Sequence, residues 1–216
     1  MNQFNNVIIK ICGIKNHNIL LCCEKLNVDL FGLIFYEKSP RNVSIEIAKK
    51  LVEFSNKLKI QPVGVFVDKN LNDIFKIISD LKLNYIQLHG DENNKYIELI
   101  KKNFEIKIIK KIAISKPQDL NQTDYYKNVD YFLFDYKPKK SELPGGNAKK
   151  FDWSILRKIE VNKPWFLSGG INETNINLIK NTINPHGIDL SSGVEESLGI
   201  KSEKKIKNFI NKYYAI

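Results

Sequence analysis

Cysteine is scarce in this chain of 216 residues, and the three present, Cys12, Cys22 and Cys23, form an odd, clustered set. Their spacing matches neither a disulfide framework nor a zinc site, and such usage fits a reducing cytoplasm. No apolar run approaches the roughly 18 residues that a membrane-spanning helix needs. The polar residues 1–6 lack a basic region followed by a long apolar stretch, so no signal peptide is expected. Low-complexity linkers are missing too, and the whole of 1–216 reads as one domain. At this length a single core hides roughly 70% of the unfolded surface.

Charge is present but is not diagnostic. The chain carries 34 basic against 24 acidic side chains, a formal net charge of +10, which favours anionic partners of any kind. The lysines fall in scattered pairs, such as Lys49-Lys50 and Lys204-Lys205, beside helical patterns or in loops. That distribution describes a solvated surface better than a nucleic-acid patch. Only Arg41 and Arg157 are arginines. A planar guanidinium grips a carboxylate with two parallel bonds, so a lysine-preferring chain has a geometric reason to keep Arg41. Arg157 lies in a helical pattern and reads as surface.

Short runs rich in Val, Ile, Phe and Leu alternate with segments of helical period. Eight runs read as strands: residues 7–12, 30–35, 62–67, 85–88, 106–112, 131–134, 165–167 and 187–190. Amphipathic stretches at 45–58, 71–81, 95–102, 174–180 and 202–213 read as helices. The fifth helix, at 117–126, is short and interrupted, and 136–151 is a long connection. Continuous apolar strands with crossover helices call for a parallel sheet covered on both faces, and eight βα units suit a closed (β/α)8 barrel. An open doubly wound sheet is less suitable, because Cys12-Gly13-Ile14-Lys15-Asn16 after the first strand is no dinucleotide fingerprint.

In such a barrel the reacting groups sit at the C-terminal strand ends. These ends carry Cys12-Gly13, Ser39-Pro40-Arg41, Asp68, Gln87-Leu88-His89-Gly90, Asp135, Ser168-Gly169-Gly170 and Asp189-Leu190-Ser191-Ser192-Gly193. Gly169-Gly170 and Ser191-Ser192-Gly193 read as a phosphate cradle or as plain turns, and their joint position favours the cradle. Cys12 reads either as a small buried hydrophobe or as a thiolate acting as base or nucleophile. The second role needs a cation or dipole to favour ionisation, and Lys10 shares its strand parity. Asp135 is delivered by a very apolar strand, which suits a protonated general acid, although a capping or lysine-paired carboxylate fits equally. His89 orients a substrate or an acid, or is structural. Cys22 and Cys23 read as packing.

Taken together, these pieces resemble the phosphoribosylanthranilate isomerase family, in order and over essentially the whole chain, together with Gly64-Val65-Phe66-Val67 and Val194-Glu195. The resemblance implies a cofactor-free, metal-free Amadori rearrangement in tryptophan biosynthesis, an aldose–ketose isomerisation of N-(5-phosphoribosyl)anthranilate. It implies Asp135 as the acid that opens the sugar ring and Cys12 as the base that removes the C2′ proton. Arg41 would hold the anthranilate carboxylate, with Gln87, His89 and Asp189 near the sugar and ring. Gly169, Gly170, Ser191, Ser192 and Gly193 would hold the phosphate. Its partner is a small phosphorylated substrate, without nucleic acid or membrane, and the chain acts as a monomer or homodimer. The loop after the sixth strand departs from the family, being Lys-rich with Asn147-Ala148 where Thr-Gly is common, and Gly145-Gly146 are expected to close it over substrate. A second barrel enzyme, indole-glycerol-phosphate synthase, would share the phosphate site. It would also need a catalytic lysine and paired glutamates at strand ends, which this reading does not find.

Overall fold

Cys12 pairs with Gly32 across the first two strands, and that register sets the frame of a parallel barrel. The computed structural model describes residues 7–139, 141–142, 145–146, 149–157 and 159–215, with the side chains of 181 and 182 excepted. Residues 1–6 and Asn147-Ala148 thus lie outside the described residues.

The strands are β1 (Ile8–Cys12), β2 (Leu30–Ile34), β3 (Gln61–Phe66), β4 (Tyr85–Leu88), β5 (Lys107–Ile114), β6 (Tyr131–Tyr136), β7 (Trp165–Leu167) and β8 (Gly187–Leu190). They close in sequence order, with β8 parallel to β1. The crossover helices are α1 (His17–Lys25), α2 (Ile45–Ser55), α3 (Leu71–Leu81), α4 (Asn94–Asn103), α5 (Gln122–Tyr125) and α6 (Ile176–Thr182). Several begin on a side-chain cap: Asn16, Ser44, Asn70 and Asn93 each accept the backbone N–H three residues on. That bond satisfies one of the orphan donors of the first turn and fixes where each rim loop ends.

The eight strands match the expected runs within one or two residues. Both β5 and β6 run two residues longer at their C-terminal ends. The sixth crossover carries a 3-10 turn, Trp153–Leu156, and no α-helix among the described residues, so the βα repeat is not complete there. Its Gly- and Pro-containing connection lacks a helical period. A short antiparallel hairpin, β9 (Glu195–Ser197) with β10 (Ile200–Lys201), precedes α7 (Glu203–Ala215) and has no counterpart in the sequence reading. No helix among the described residues is long and apolar enough to cross a membrane.

Alternation divides each strand between two cores. Outward residues such as Ile11, Phe132, Phe134 and Leu167 pack under the helices, in the large buried cluster. Inward, Leu30, Val63, Ile109, Leu133 and Phe166 plug the lower barrel. Phe166 fills the space that Gly187 leaves empty, the large-against-small packing a closed barrel requires. Above this plug the inward positions turn polar: Lys10 and Asp189 face each other in register, and Asp135 stands across from Ala113. The plug excludes water from below, so these groups can be reached only from the C-terminal rim.

Candidate active site

Cys12 ends β1 almost fully buried, its sulfur beside Gly32. A Cβ built on Gly32 would stand 2.7 Å from Sγ, so β2 makes room for the thiol by having no side chain. Burial pushes the thiol's pKa up, and the opposing pull of Lys10 does not cancel it. A base role needs a cation beside the thiol, and Lys10 acts on it as one, but burial outweighs that pull. Lys10 is fully buried and donates from Nζ to Asp189 Oδ1 at 2.9 Å. Burial disfavours its charge, but Asp189 and Cys12 hold its pKa above the usual lysine value.

Asp135 faces the same cleft from β6. Its carboxyl is pushed up to about 6, chiefly by burial, against the pull of Lys111 and a backbone N–H. That donor is Tyr136 N–H, 2.8 Å from Oδ1. His89 Nε2 lies 3.6 Å from the other carboxyl oxygen. Gln87 reaches His89 Nδ1 at 2.9 Å, while its own Oε1, deeply buried, has no partner among the described residues. An orphaned acceptor lining a cleft is a place for a ligand's N–H or O–H.

Arg41 follows β2 and is 2% exposed. It does grip a carboxylate with two bonds, but the carboxylate is Glu195: Nε to Oε1 at 2.7 Å and Nη2 to Oε2 at 2.8 Å. Lys201 bonds the same Glu195. Burial alone would raise the Glu195 pKa, yet the two cations hold it down to about 2. Nη1 has no partner among the described residues and lies against Gly146 at the cleft.

The cleft offers about 560 Å³ of empty space including its open mouth, with Ile34, Tyr36, Val65 and Val67 as an apolar wall; Cys12 packs with Ile34, Val65 and Tyr36, and Asp135 lines the same cleft. A second lobe of about 370 Å³ continues from it past Asp135 and Asp189 to Gly169, Gly170, Ser191, Ser192 and Gly193. Gly169 and Gly170 adopt φ of +86° and +70°, which suits glycine. The amide N–H groups of Gly169, Gly170, Ser192 and Gly193 donate to nothing among the described residues. Clustered free N–H groups form a nest for an anion. Gly145 and Gly146 lie over the rim against His89 and Arg41.

The eleven residues given catalytic, substrate or phosphate roles in the sequence line one continuous cleft, whereas Asp68, also named at a strand end, does not line it. The sequence reading left Lys10 unassigned and gave no role to Lys111, Glu195 or Lys201. It also found no strand-end lysine, whereas Lys10 and Lys111 both stand close enough to act electrostatically on the Cys12 and Asp135 groups. Inward strand parity is the signal that could have found these two.

The family model for N-(5'-phosphoribosyl)anthranilate (PRA) isomerase matches residues 9–212. N-(5'-phosphoribosyl)anthranilate isomerase of Paramagnetospirillum magneticum is 37% identical over 206 residues, covering 94% of this chain and 95% of the relative. The enzyme of Rhizobium etli is 40% identical over 207 residues, covering 94% and 92%. Among solved structures, the generated monomers of the dimeric enzyme from Thermotoga maritima superpose with a TM-score of 0.82 at 31% identity, covering 97% and 100%. A phosphoribosylanthranilate isomerase in complex with reduced 1-(o-carboxyphenylamino)-1-deoxyribulose 5-phosphate gives 0.79 at 30% identity, also covering 97% and 100%. With a matching model over nearly its whole length and a cleft furnished with thiol, carboxyl, guanidinium and anion nest, the chain belongs to the N-(5'-phosphoribosyl)anthranilate isomerase family.

Proposed function

We propose that the chain converts N-(5-phosphoribosyl)anthranilate to 1-(2-carboxyphenylamino)-1-deoxyribulose 5-phosphate in tryptophan biosynthesis, with Asp135 as general acid and Cys12 as general base. The observation that carries the reading is the meeting of Cys12 and Asp135 in one cleft that continues into the glycine-rich nest. A family member has been solved with the reduced product bound, which supports a phosphorylated aromatic ligand.

The substrate's phosphate takes the N–H groups of Gly169, Gly170, Ser192 and Gly193, with the Ser191 side chain alongside. Its anthranilate ring lies on the apolar wall, and its carboxylate takes the free Nη1 of Arg41, whose plane Glu195 fixes. Asp135, whose proton burial holds more tightly than usual, gives it to the ring oxygen and opens the sugar to a Schiff base. Cys12 then removes the C2′ proton, and the enolamine relaxes to the ketone. Gln87, His89 and Asp189 line the sugar's path, Gln87 Oε1 accepting from it. No step calls on a cofactor or a metal. Residues 1–216 act as one barrel domain, as a monomer or homodimer, in the cytoplasm.

The test is a direct assay with freshly generated phosphoribosylanthranilate, following the loss of anthranilate-type fluorescence. Turnover that depends on both Cys12 and Asp135 supports the reading. No turnover by the intact chain overturns it.

A further inference from the structure

A base must lose its proton before it can take one, and Cys12 sits where burial opposes that loss. The charged groups around its sulfur come from several elements. β1 supplies Lys10, β8 supplies Asp189 and β10 supplies Lys201; Asp135, His89 and Arg41 line the same cleft, while β2 offers only Gly32. Two of the cations are committed elsewhere. Arg41 spends Nε and Nη2 on Glu195, and Lys201 bonds Glu195 and the carbonyl of Ser191.

Lys10 differs. Its ammonium has three donors; one goes to Asp189 Oδ1, and Cys12 is also within its hydrogen-bonding reach. Because side chains two apart on a strand share a face, Cys12 is the next group above it on the inner wall. With no exposure to solvent, the remaining donors of Lys10 cannot turn to bulk water.

The geometry points to Lys10 as a positioning residue that serves as counter-ion to the Cys12 thiolate, with Asp189 holding the ammonium charged beneath it. This rests on the reading of Cys12 as general base and supplies the means of its ionisation. The attraction acts in a water-excluded layer, where a charge a few ångströms away counts for much more than in solution. Its direction is also fixed. An ammonium below the sulfur favours thiolate and leaves the mouth of the cleft open to the substrate's C2′.

The proposal is tested without substrate, by alkylating the protein with iodoacetamide across a pH series and reading Cys12 separately from Cys22 and Cys23 by peptide mass spectrometry. Lys10→Met should slow Cys12 alkylation at least tenfold near neutral pH and move its midpoint to higher pH, while Lys10→Arg should keep both near the parent values. The Lys10→Met/Asp189→Asn pair, which leaves no lone buried carboxylate, repeats the test if Lys10→Met does not fold. A third arm needs no substitution: in the parent chain the ¹⁵N resonance of Lys10 Nζ should shift with the same midpoint as Cys12 alkylation. Unchanged alkylation in folded Lys10→Met, or a Lys10 resonance indifferent to the thiol's titration, overturns the proposal. Failure of the isomerase assay leaves these readings intact, so the two ideas fall separately.

Discussion

Arg41 and Glu195 form a two-bonded clasp across 154 positions of sequence, buried on both sides. The guanidinium that the sequence offers to a substrate carboxylate is thus already held by one of the protein's own, and among the described residues Nη1 alone is left without a partner. Glu195→Ala would leave Arg41 and Lys201 buried without their shared anion. We expect about 3–5 kcal/mol less stability in urea unfolding, the scale of a broken buried pair. A loss below about 1 kcal/mol would mean that the network is a bystander. Arg41→Lys, which cannot make the fork, should raise KM at least tenfold with a smaller change in kcat.

Asp135→Asn separates activity from stability. Removing a general acid should cost roughly 10²- to 10⁴-fold in kcat with little change in KM, and Cys12→Ser should do the same. Burial raises Asp135 from its ordinary carboxylate value to about 6, so the fold prefers its protonated form. The stability this confers is complete below about pH 4 and is lost as pH rises through about 6. Asparagine imitates the protonated form at every pH. The variant should therefore be up to about 3 kcal/mol more stable than the parent at pH 7.5, and the two should converge near pH 4. Equal thermal unfolding temperatures at pH 7.5 would count against the raised carboxyl.

The pH dependence of kcat/KM should be a bell whose lower limb belongs to the acid. Asp135 titrates near 6 and the Cys12 thiol above its usual range, so the productive pairing of protonated acid and ionised base is a minority at every pH. Lys111 pulls the Asp135 value down, and Lys111→Met should move the lower limb up by roughly one pH unit. A limb that stays in place would detach Lys111 from the acid.

Gly193→Ala tests the anion nest. A Cβ there would collide with the carbonyl oxygen of Ile171, and the β7 and β8 loops would have to part. We expect inhibition by inorganic phosphate to weaken at least tenfold and KM to rise, with a lower unfolding midpoint because the clash is with backbone. Unaltered phosphate inhibition would place the phosphate elsewhere.

The strands were legible because each is a short apolar run, and the rim chemistry because barrel geometry gathers strand ends. The β9–β10 hairpin was not, since its few residues show no period and its reason for existing is tertiary: it carries Glu195 and Lys201 to Arg41. β5 was read as 106–112, with Lys110-Lys111 already inside it, and it runs on through Ala113-Ile114. Lys10 was placed on its strand but remained unassigned. Its partner Asp189 is 179 residues away, and the only local hint of its burial was its inward parity on the strand.

Gly32 touches no reacting atom, yet it governs where the reacting sulfur can be. Any side chain on that position of β2 would meet Sγ first and push the thiol toward the mouth of the cleft or off its lysine. Mutational tolerance in this wall should accordingly look inverted. Ile34 and Val65, which lie along the cleft, should exchange with other apolar residues, while Gly32 should accept nothing, because the space it leaves is what seats the base.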